Sequence, residues 1–128
     1  MEKKNILYAE DDIGARELGL MYLNRFLSEV NLEIFNDGDS LEERLQKGPE
    51  GIDLVLTDNK MPGPNGSDII RKYARLPGFE NVSFILFHAG YTEIGKQAVR
   101  DGAFAYLEKS ATSIRELVPL LKRALKIE

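Results

Sequence analysis

Two acidic sites follow two strongly apolar segments of this chain. Asp58 comes directly after the segment 53–57 and starts a loop rich in proline and glycine, residues 59–66. The acidic run Glu10–Asp12 follows a second apolar segment, residues 5–9. If both segments are strands of one parallel sheet, their carboxyl ends share an edge and the carboxylates converge. Because like charges crowded together are unfavourable without a cation between them, the pattern predicts a divalent-cation site with oxygen ligands.

Composition limits the classes of protein to which the chain can belong. The 128 residues are 43% hydrophobic and 30% charged, which is typical of one globular domain, here predicted to span 1–128. Cysteine is absent, which excludes disulfides and thiolate chemistry and fits a cytoplasmic location. We predict neither a membrane span nor a signal peptide, because no apolar run approaches the ~18 residues of a membrane span. A net charge of −4 without a basic stripe argues against direct binding of nucleic acid.

Short apolar runs alternate with segments of helical periodicity along the whole chain. Strands are predicted at 6–9, 32–35, 52–57, 82–87 and 103–107. Helices are predicted at 15–26, from Asp39 or Ser40 to about 47, from Asn65 or Ser67 to about 76, at 94–99, and at 113–125 with a kink at Pro119. Asp12 is expected to cap the first helix. Five alternating strands and helices require right-handed crossovers, so the predicted fold class is α/β, a doubly wound parallel sheet.

Three segments at the ends of predicted strands carry the most specific pattern. They are Ile6–Asp11, Asp58–Pro62 with the following Gly66, and Gly102–Lys109. Each is a weak motif alone, but in this order they resemble the CheY-like receiver domain of bacterial response regulators over essentially the whole chain. The resemblance implies a flavodoxin-like (βα)5 sheet with strand order 2-1-3-4-5. It also implies a phosphoprotein of two-component signalling that catalyses only its own phosphorylation and dephosphorylation and is not otherwise an enzyme.

The resemblance implies a role for each matched residue. Asp58 would be the phosphoacceptor, which attacks the phosphohistidine of a sensor histidine kinase or a histidine phosphotransfer protein to form an aspartyl phosphate. Asp58 and Asp11 would bind Mg²⁺ directly, and Glu10 would hold it through water. Lys60 would add its backbone carbonyl as a further metal ligand. Lys109 would pair with Asp58 before phosphorylation and with the phosphoryl group afterwards.

His88 departs from the family pattern, which has threonine or serine at the end of the fourth strand. In one hypothesis the imidazole contacts the phosphoryl group and makes the response sensitive to pH. In the other it points out of the site, and phosphorylation is weakly coupled to shape. Its bulk could also block the inward rotamer of Tyr106, which is either a switch aromatic or a packed strand residue. Ser110 replaces the usual proline, which leaves open whether the Lys109–Ser110 peptide is cis.

The predicted output is a protein-binding surface at about Ile94–Leu125, where a downstream partner would respond to phosphorylation. No output domain is expected within 1–128, and the chain would be a monomer or a phosphorylation-dependent dimer. The alternative is a pseudo-receiver, an interaction module in which phosphorylation is uncoupled or absent. An aspartate-nucleophile phosphatase is disfavoured because Lys60 stands where its second acid belongs. A flavin-binding module is disfavoured because Glu10–Asp12 would repel the cofactor phosphate.

Overall fold

Five strands and five helices alternate in the computed structural model, which describes residues 3–90, 92–109 and 114–127. The elements, in chain order, are β1 (Lys4–Ala9), α1 (Ile13–Phe26), β2 (Val30–Phe35), α2 (Gly38–Gln46), β3 (Leu54–Thr57), α3 (Gly66–Tyr73), β4 (Ser83–His88), α4 (Thr92–Arg100), β5 (Ala105–Glu108) and α5 (Ile114–Leu125). None of the helices in these ranges has the length and apolar character that a bilayer span requires.

The five strands form one parallel sheet in the order β2-β1-β3-β4-β5, which confirms the predicted flavodoxin-like α/β fold. Ala9 at the end of β1 pairs with Thr57 at the end of β3, and Thr57 pairs with Leu86 on β4. His88 pairs with Glu108 on β5. The carboxyl ends of the four neighbouring strands therefore lie along one edge of the sheet, from which residues 10, 58, 89 and 109 continue.

Strand side chains alternate between two hydrophobic cores, one on each face of the sheet. On β4, Phe84 and Leu86 pack into the core that α2, α3 and α4 cover. Ile85 and Phe87 pack into the core that α1 and α5 cover. Because the central strands are buried on both faces, they appear in the sequence as continuous apolar runs instead of alternating ones. This two-sided packing holds the edge that carries the acidic residues.

Side-chain caps set where α1 and α2 begin. Asp12 caps α1, as expected, because its Oδ2 accepts the backbone N–H of Ala15 at 2.7 Å. The cap of α2 is Asp37, whose Oδ1 accepts the N–H of Ser40 at 2.7 Å. The prediction that Asp39 or Ser40 caps α2 is therefore wrong. Both residues already lie inside the first turn, where the extended backbone of a cap residue is not available to them.

Two other helices bear on the sequence predictions. Asn65 is the N-cap of α3, which decides between Asn65 and Ser67, and its N–H donates to Oδ2 of Asp68 at 3.3 Å. Pro119 lies inside α5, and the helix continues past it to Leu125. The kink at this proline stays a prediction. β3 begins at Leu54, two residues later than the apolar run suggested.

Candidate functional site

The carboxyl ends of β1 and β3 bring Glu10, Asp11 and Asp58 together. One carboxylate oxygen of each residue lies within 4.8 Å of those of the other two. Glu10 is buried, Asp58 is half-buried and Asp11 is exposed, so the cluster opens to solvent on one side. Three hard oxygen donors at this separation, without sulfur or imidazole among them, fit a cation such as Mg²⁺.

Lys109 reaches this cluster from the end of β5. Its ammonium donates to Oε1 of Glu10 and lies 3.2 Å from Oδ2 of Asp58. Its backbone N–H donates to the carbonyl of His88 at 2.8 Å, which extends the β4–β5 pairing by one residue and fixes where the side chain starts. One ammonium faces three carboxylates, so the site retains an excess of negative charge that a second cation could balance.

Burial and neighbouring charges change the protonation of this cluster. Burial, reinforced by the hydrogen bond and charge of Asp58, raises the pKa of Glu10 to about 7, although the Lys109 ammonium acts in the opposite direction. Burial alone would lower the pKa of Lys109. The hydrogen bond with Glu10 and the charge of Asp58 outweigh it, so the pKa of Lys109 is raised and the amine stays charged. Glu10 is thus partly protonated near neutral pH, and a bound cation would displace that proton.

The loop after β3 fixes the carboxylate and backbone of Asp58. Oδ1 of Asp58 accepts the N–H of Asn59 at 2.7 Å, while the Asp58 N–H donates to the carbonyl of Ala9 at 3.0 Å. Asn59 is buried, and its Oδ1 accepts the N–H of Ser67 at 2.9 Å. The Asn59 carbonyl accepts the N–H of Gly66 at 2.8 Å. The first turn of α3 is therefore tied to the residue that follows Asp58.

Two glycines let backbone segments approach closely around this loop. A Cβ on Gly66 would lie 2.1 Å from the carbonyl oxygen of Asp58, so only glycine fits there. A Cβ on Gly38, the first residue of α2, would lie 2.0 Å from the carbonyl oxygen of Pro64. The Gly38 N–H also donates to the Pro62 carbonyl at 2.9 Å. The start of α2 and the loop 59–65 thus hold each other in place.

Sequence reasoning missed Arg16 and the structural role of Asn59. Nη1 of Arg16 donates to the backbone carbonyl of Glu10 at 3.0 Å, which ties the turn between β1 and α1 to the helix. The available signals were weak: a basic residue one turn into α1, and an amide directly after Asp58. Neither position differs in type from many surface residues, so only the contacts identify them.

His88 and Tyr106 lie beside each other near the ends of β4 and β5. His88 is 2% exposed, and its Nε2 is buried without a hydrogen-bond partner among the described residues. The rings of His88 and Tyr106 have centroids 6.4 Å apart and planes inclined by 38°. Tyr106 is half-buried. The imidazole therefore faces protein and not solvent, and its contact with a phosphoryl group stays a prediction.

Two further sequence predictions concern the rim of the site. The Lys60 side chain is exposed, and the use of its backbone carbonyl as a metal ligand stays a prediction. The Lys109–Ser110 peptide lies outside the described residues, because the structure describes 92–109 and resumes at 114.

Sequence comparison decides which family has this geometry. The profile of the response regulator receiver domain matches residues 6–122, which is most of the chain. This chain belongs to the receiver domain family. Receiver domains are signalling domains and not metabolic enzymes. Comparison with curated proteins gave no match.

Solved structures of receiver domains superpose on nearly the whole chain. A receiver domain protein from Clostridium thermocellum is 22% identical with a TM-score of 0.82, and the match covers 96% of this chain and 94% of that one. A CheY-like protein from Methanospirillum hungatei JF-1 is 23% identical with a TM-score of 0.78, over 97% and 94%. The Mn²⁺-bound response regulator Rcp1 is 20% identical with a TM-score of 0.79, over 93% and 91%. At these identities the likeness shows the shared receiver fold.

Proposed function

We propose that this receiver domain accepts a phosphoryl group on Asp58 from the phosphohistidine of a histidine kinase or a histidine phosphotransfer protein. Mg²⁺ would be held by Asp58, Asp11 and Glu10, the last through water, with the carbonyl of Lys60 as a further ligand. The observation that carries this proposal is the convergence of the three carboxylates within 4.8 Å, with the Lys109 ammonium 3.2 Å from Asp58.

The residues around Asp58 support its role as a nucleophile. The N–H of Asn59 holds Oδ1, and Lys109 lies at Oδ2, so the carboxylate plane is fixed before a donor arrives. In the transfer a carboxylate oxygen of Asp58 bonds to phosphorus, and the bond from phosphorus to the donor imidazole nitrogen breaks. The imidazole leaves with the electron pair and takes up a proton, and an acyl phosphate remains on Asp58.

The charges of the cluster indicate the roles of Lys109 and of a bound Mg²⁺. Lys109 already lies beside Asp58, and its ammonium can pair with the phosphoryl oxygens once Asp58 is phosphorylated. Bound at the carboxylates, Mg²⁺ would neutralise the negative charge of the cluster and of the incoming phosphoryl group. Rcp1 was solved with Mn²⁺, a divalent cation that also prefers oxygen ligands, which is consistent with this donor set.

The proposed output is a change in the surface formed by α4, β5 and α5, at about Ile94–Leu125, which a downstream protein would bind. Tyr106 is the candidate switch aromatic on this surface. We propose further that 1–128 acts as a single cytoplasmic domain, either a monomer or a phosphorylation-dependent dimer. If Asp58 takes no phosphate, the alternative is a pseudo-receiver that binds partners without phosphorylation.

Intact-mass measurement after incubation with acetyl phosphate tests this function. We expect one phosphoryl adduct on the wild type with Mg²⁺, none without Mg²⁺, and none on Asp58→Asn. The matched control is Asp53→Asn, which should be phosphorylated like the wild type, because Asp53 directly precedes β3 and so lies at the opposite end of the strand from Asp58. Absence of an adduct on the wild type would favour the pseudo-receiver. An equal adduct on Asp58→Asn would place the acceptor elsewhere.

A further inference from the structure

A buried glycine lies in the middle of α4. Gly95 is the fourth of the nine residues of this helix, and its neighbours on the chain, Ile94 and Lys96, are ordinary helix residues. Glycine is the least favourable residue after proline inside a helix, because it loses the most backbone freedom and buries no side chain. Helix propensity therefore does not account for Gly95, and its surroundings must.

The ring of Tyr106 fills the space that a side chain at position 95 would need. A Cβ on Gly95 would lie 2.1 Å from Cδ2, 2.3 Å from Cγ and 2.4 Å from Cε2 of Tyr106. Three ring atoms at such distances mean that the ring lies directly against the backbone of α4. Any side chain at position 95 would force the ring or the helix to move.

Another neighbour of the Tyr106 ring is the imidazole of His88, with centroids 6.4 Å apart. The carbonyl of His88 accepts the backbone N–H of Lys109 at 2.8 Å. The ammonium of the same lysine lies 3.2 Å from Asp58. Lys109 thus meets the acidic cluster with its side chain and His88 with its backbone, and the His88 ring lies beside Tyr106, which packs on α4.

We propose that Gly95 leaves the space on α4 in which the ring of Tyr106 packs, and we call this packing site the seat of Tyr106. The glycine and His88 hold the ring half-buried between β4 and α4. This fixes the surface that α4 and β5 form in the unphosphorylated protein. The consequence for signalling rests on the proposed function, because phosphorylation of Asp58 would act on the seat through Lys109 and His88. The seat itself belongs to the unphosphorylated protein. A side chain at position 95 would displace Tyr106 and change this surface without phosphate.

Thermal unfolding of paired variants tests the seat. Gly95→Ala is compared with its parent twice, once with Tyr106 present and once in Tyr106→Ala. We expect Gly95→Ala to lower Tm by about 3–6 °C when the ring is present. In the Tyr106→Ala background, Gly95→Ala should raise Tm, because alanine favours the helix and the Tyr106 ring no longer fills the space at position 95. An equal shift in both backgrounds would overturn the proposal.

Gly14→Ala is the matched control for this comparison. Gly14 is an exposed helical glycine of α1, and a Cβ there would meet nothing closer than 3.5 Å, an Asp12 carboxylate oxygen. Its effect on Tm should be the same with and without the Tyr106 ring. A difference as large as that at Gly95 would show that Tyr106→Ala perturbs the whole fold, which would also contradict a local seat.

NMR of protein with ¹³C-labelled tyrosine rings locates the displacement directly. The Tyr106 signals are assigned as those that Tyr106→Phe removes. Without any phosphodonor, Gly95→Ala and His88→Ala should both move the Tyr106 signals while those of Tyr73 stay in place. Unchanged Tyr106 signals in Gly95→Ala would refute the seat.

A phosphodonor arm separates the seat from the proposed function. When acetyl phosphate and Mg²⁺ have phosphorylated the wild type, as shown by mass, the Tyr106 signals should move. If no adduct forms, the phosphoacceptor function fails while the results on unphosphorylated variants still stand. If an adduct forms and Tyr106 does not move, the link from Asp58 to the seat is wrong.

Discussion

Glu10 shows how burial and charge act on a single residue of the site. It is buried at the end of β1 and accepts a hydrogen bond from Lys109, yet its pKa rises to about 7 because burial disfavours the carboxylate and Asp58 repels it. Near neutral pH this residue is therefore close to half-protonated in the metal-free protein. A carboxylate whose pKa is raised this far by burial and a neighbouring charge is typical of a functional site.

The first prediction follows from the sign of this shift. Because the pKa of Glu10 is higher in the folded protein than its ordinary value of 4.5, its contribution to stability is largest at low pH, where the side chain is protonated in both the folded and the unfolded protein. That contribution is lost as the pH rises from about 4.5 to about 7. Urea unfolding of metal-free protein should therefore show Glu10→Gln gaining stability relative to the wild type between pH 5 and pH 7.5. In the exposed control Glu80→Gln, the free energy of unfolding should change with pH as it does in the wild type. The same pH dependence in Glu10→Gln would contradict the prediction.

The second prediction separates the roles of two adjacent acids. Asp12 caps α1 through its contact with Ala15, whereas Asp11 faces the acidic cluster. Asp12→Ala should lower the free energy of unfolding by about 1 kcal/mol and leave phosphorylation by acetyl phosphate intact. Asp11→Ala should abolish the adduct, with a smaller effect on stability. Urea unfolding and intact mass measure the two quantities, and loss of the adduct in Asp12→Ala alone would reverse the assignment.

Individual residues also show what sequence could predict of the site. Glu10, Asp11 and Asp58 follow apolar runs that end at the same edge of the sheet. Their convergence can therefore be predicted from the ends of the strands alone. The contact of Tyr106 with Gly95 cannot be predicted in this way, because hydrophobic periodicity places a residue on a face of its element without indicating which neighbour it contacts there.

The elements were predictable where burial dominates and less so where several polar residues compete. The central strands are apolar on both faces, and their existence was evident from the sequence. The start of α2 was not, because Asp37, Asp39 and Ser40 are all good cap residues. Contacts of Gly38 with Pro62 and Pro64 decide between them, and these contacts join segments that are 24 or more residues apart.

The third prediction concerns the turn into α3. Gly66→Ala would put a Cβ 2.1 Å from the carbonyl oxygen of Asp58, so the loop or the helix start must shift. We expect a loss of about 1–3 kcal/mol in the free energy of unfolding. A slower rate of phosphorylation should accompany it, since Asp58 moves with the loop. Urea unfolding and timed intact mass check both effects. Gly14→Ala serves again as control, and equal effects of the two substitutions would rule out the close contact as the cause.

For the whole molecule, the doubly wound sheet explains how one site is built from distant parts of the chain. Lys109 and Glu10 are 99 residues apart and meet because β5 and β1 end at the same edge. Lys109 and His88 connect the same edge with Tyr106 and α4. The fold therefore combines an acidic edge with a separate surface on α4, β5 and α5, which in the proposed function is the output surface.

Borohydride reduction of the phosphorylated protein tests the central claim most directly. An aspartyl phosphate is an acyl phosphate, which borohydride reduces to homoserine, and tandem mass spectrometry then locates the reduced residue. After treatment with acetyl phosphate and Mg²⁺, we predict homoserine at position 58 and at no other acidic position. Homoserine at position 11 instead, 5-hydroxynorvaline (the product that a glutamyl phosphate would give) at position 10, or no reduced residue at all, would contradict the assignment of Asp58 as the phosphoacceptor.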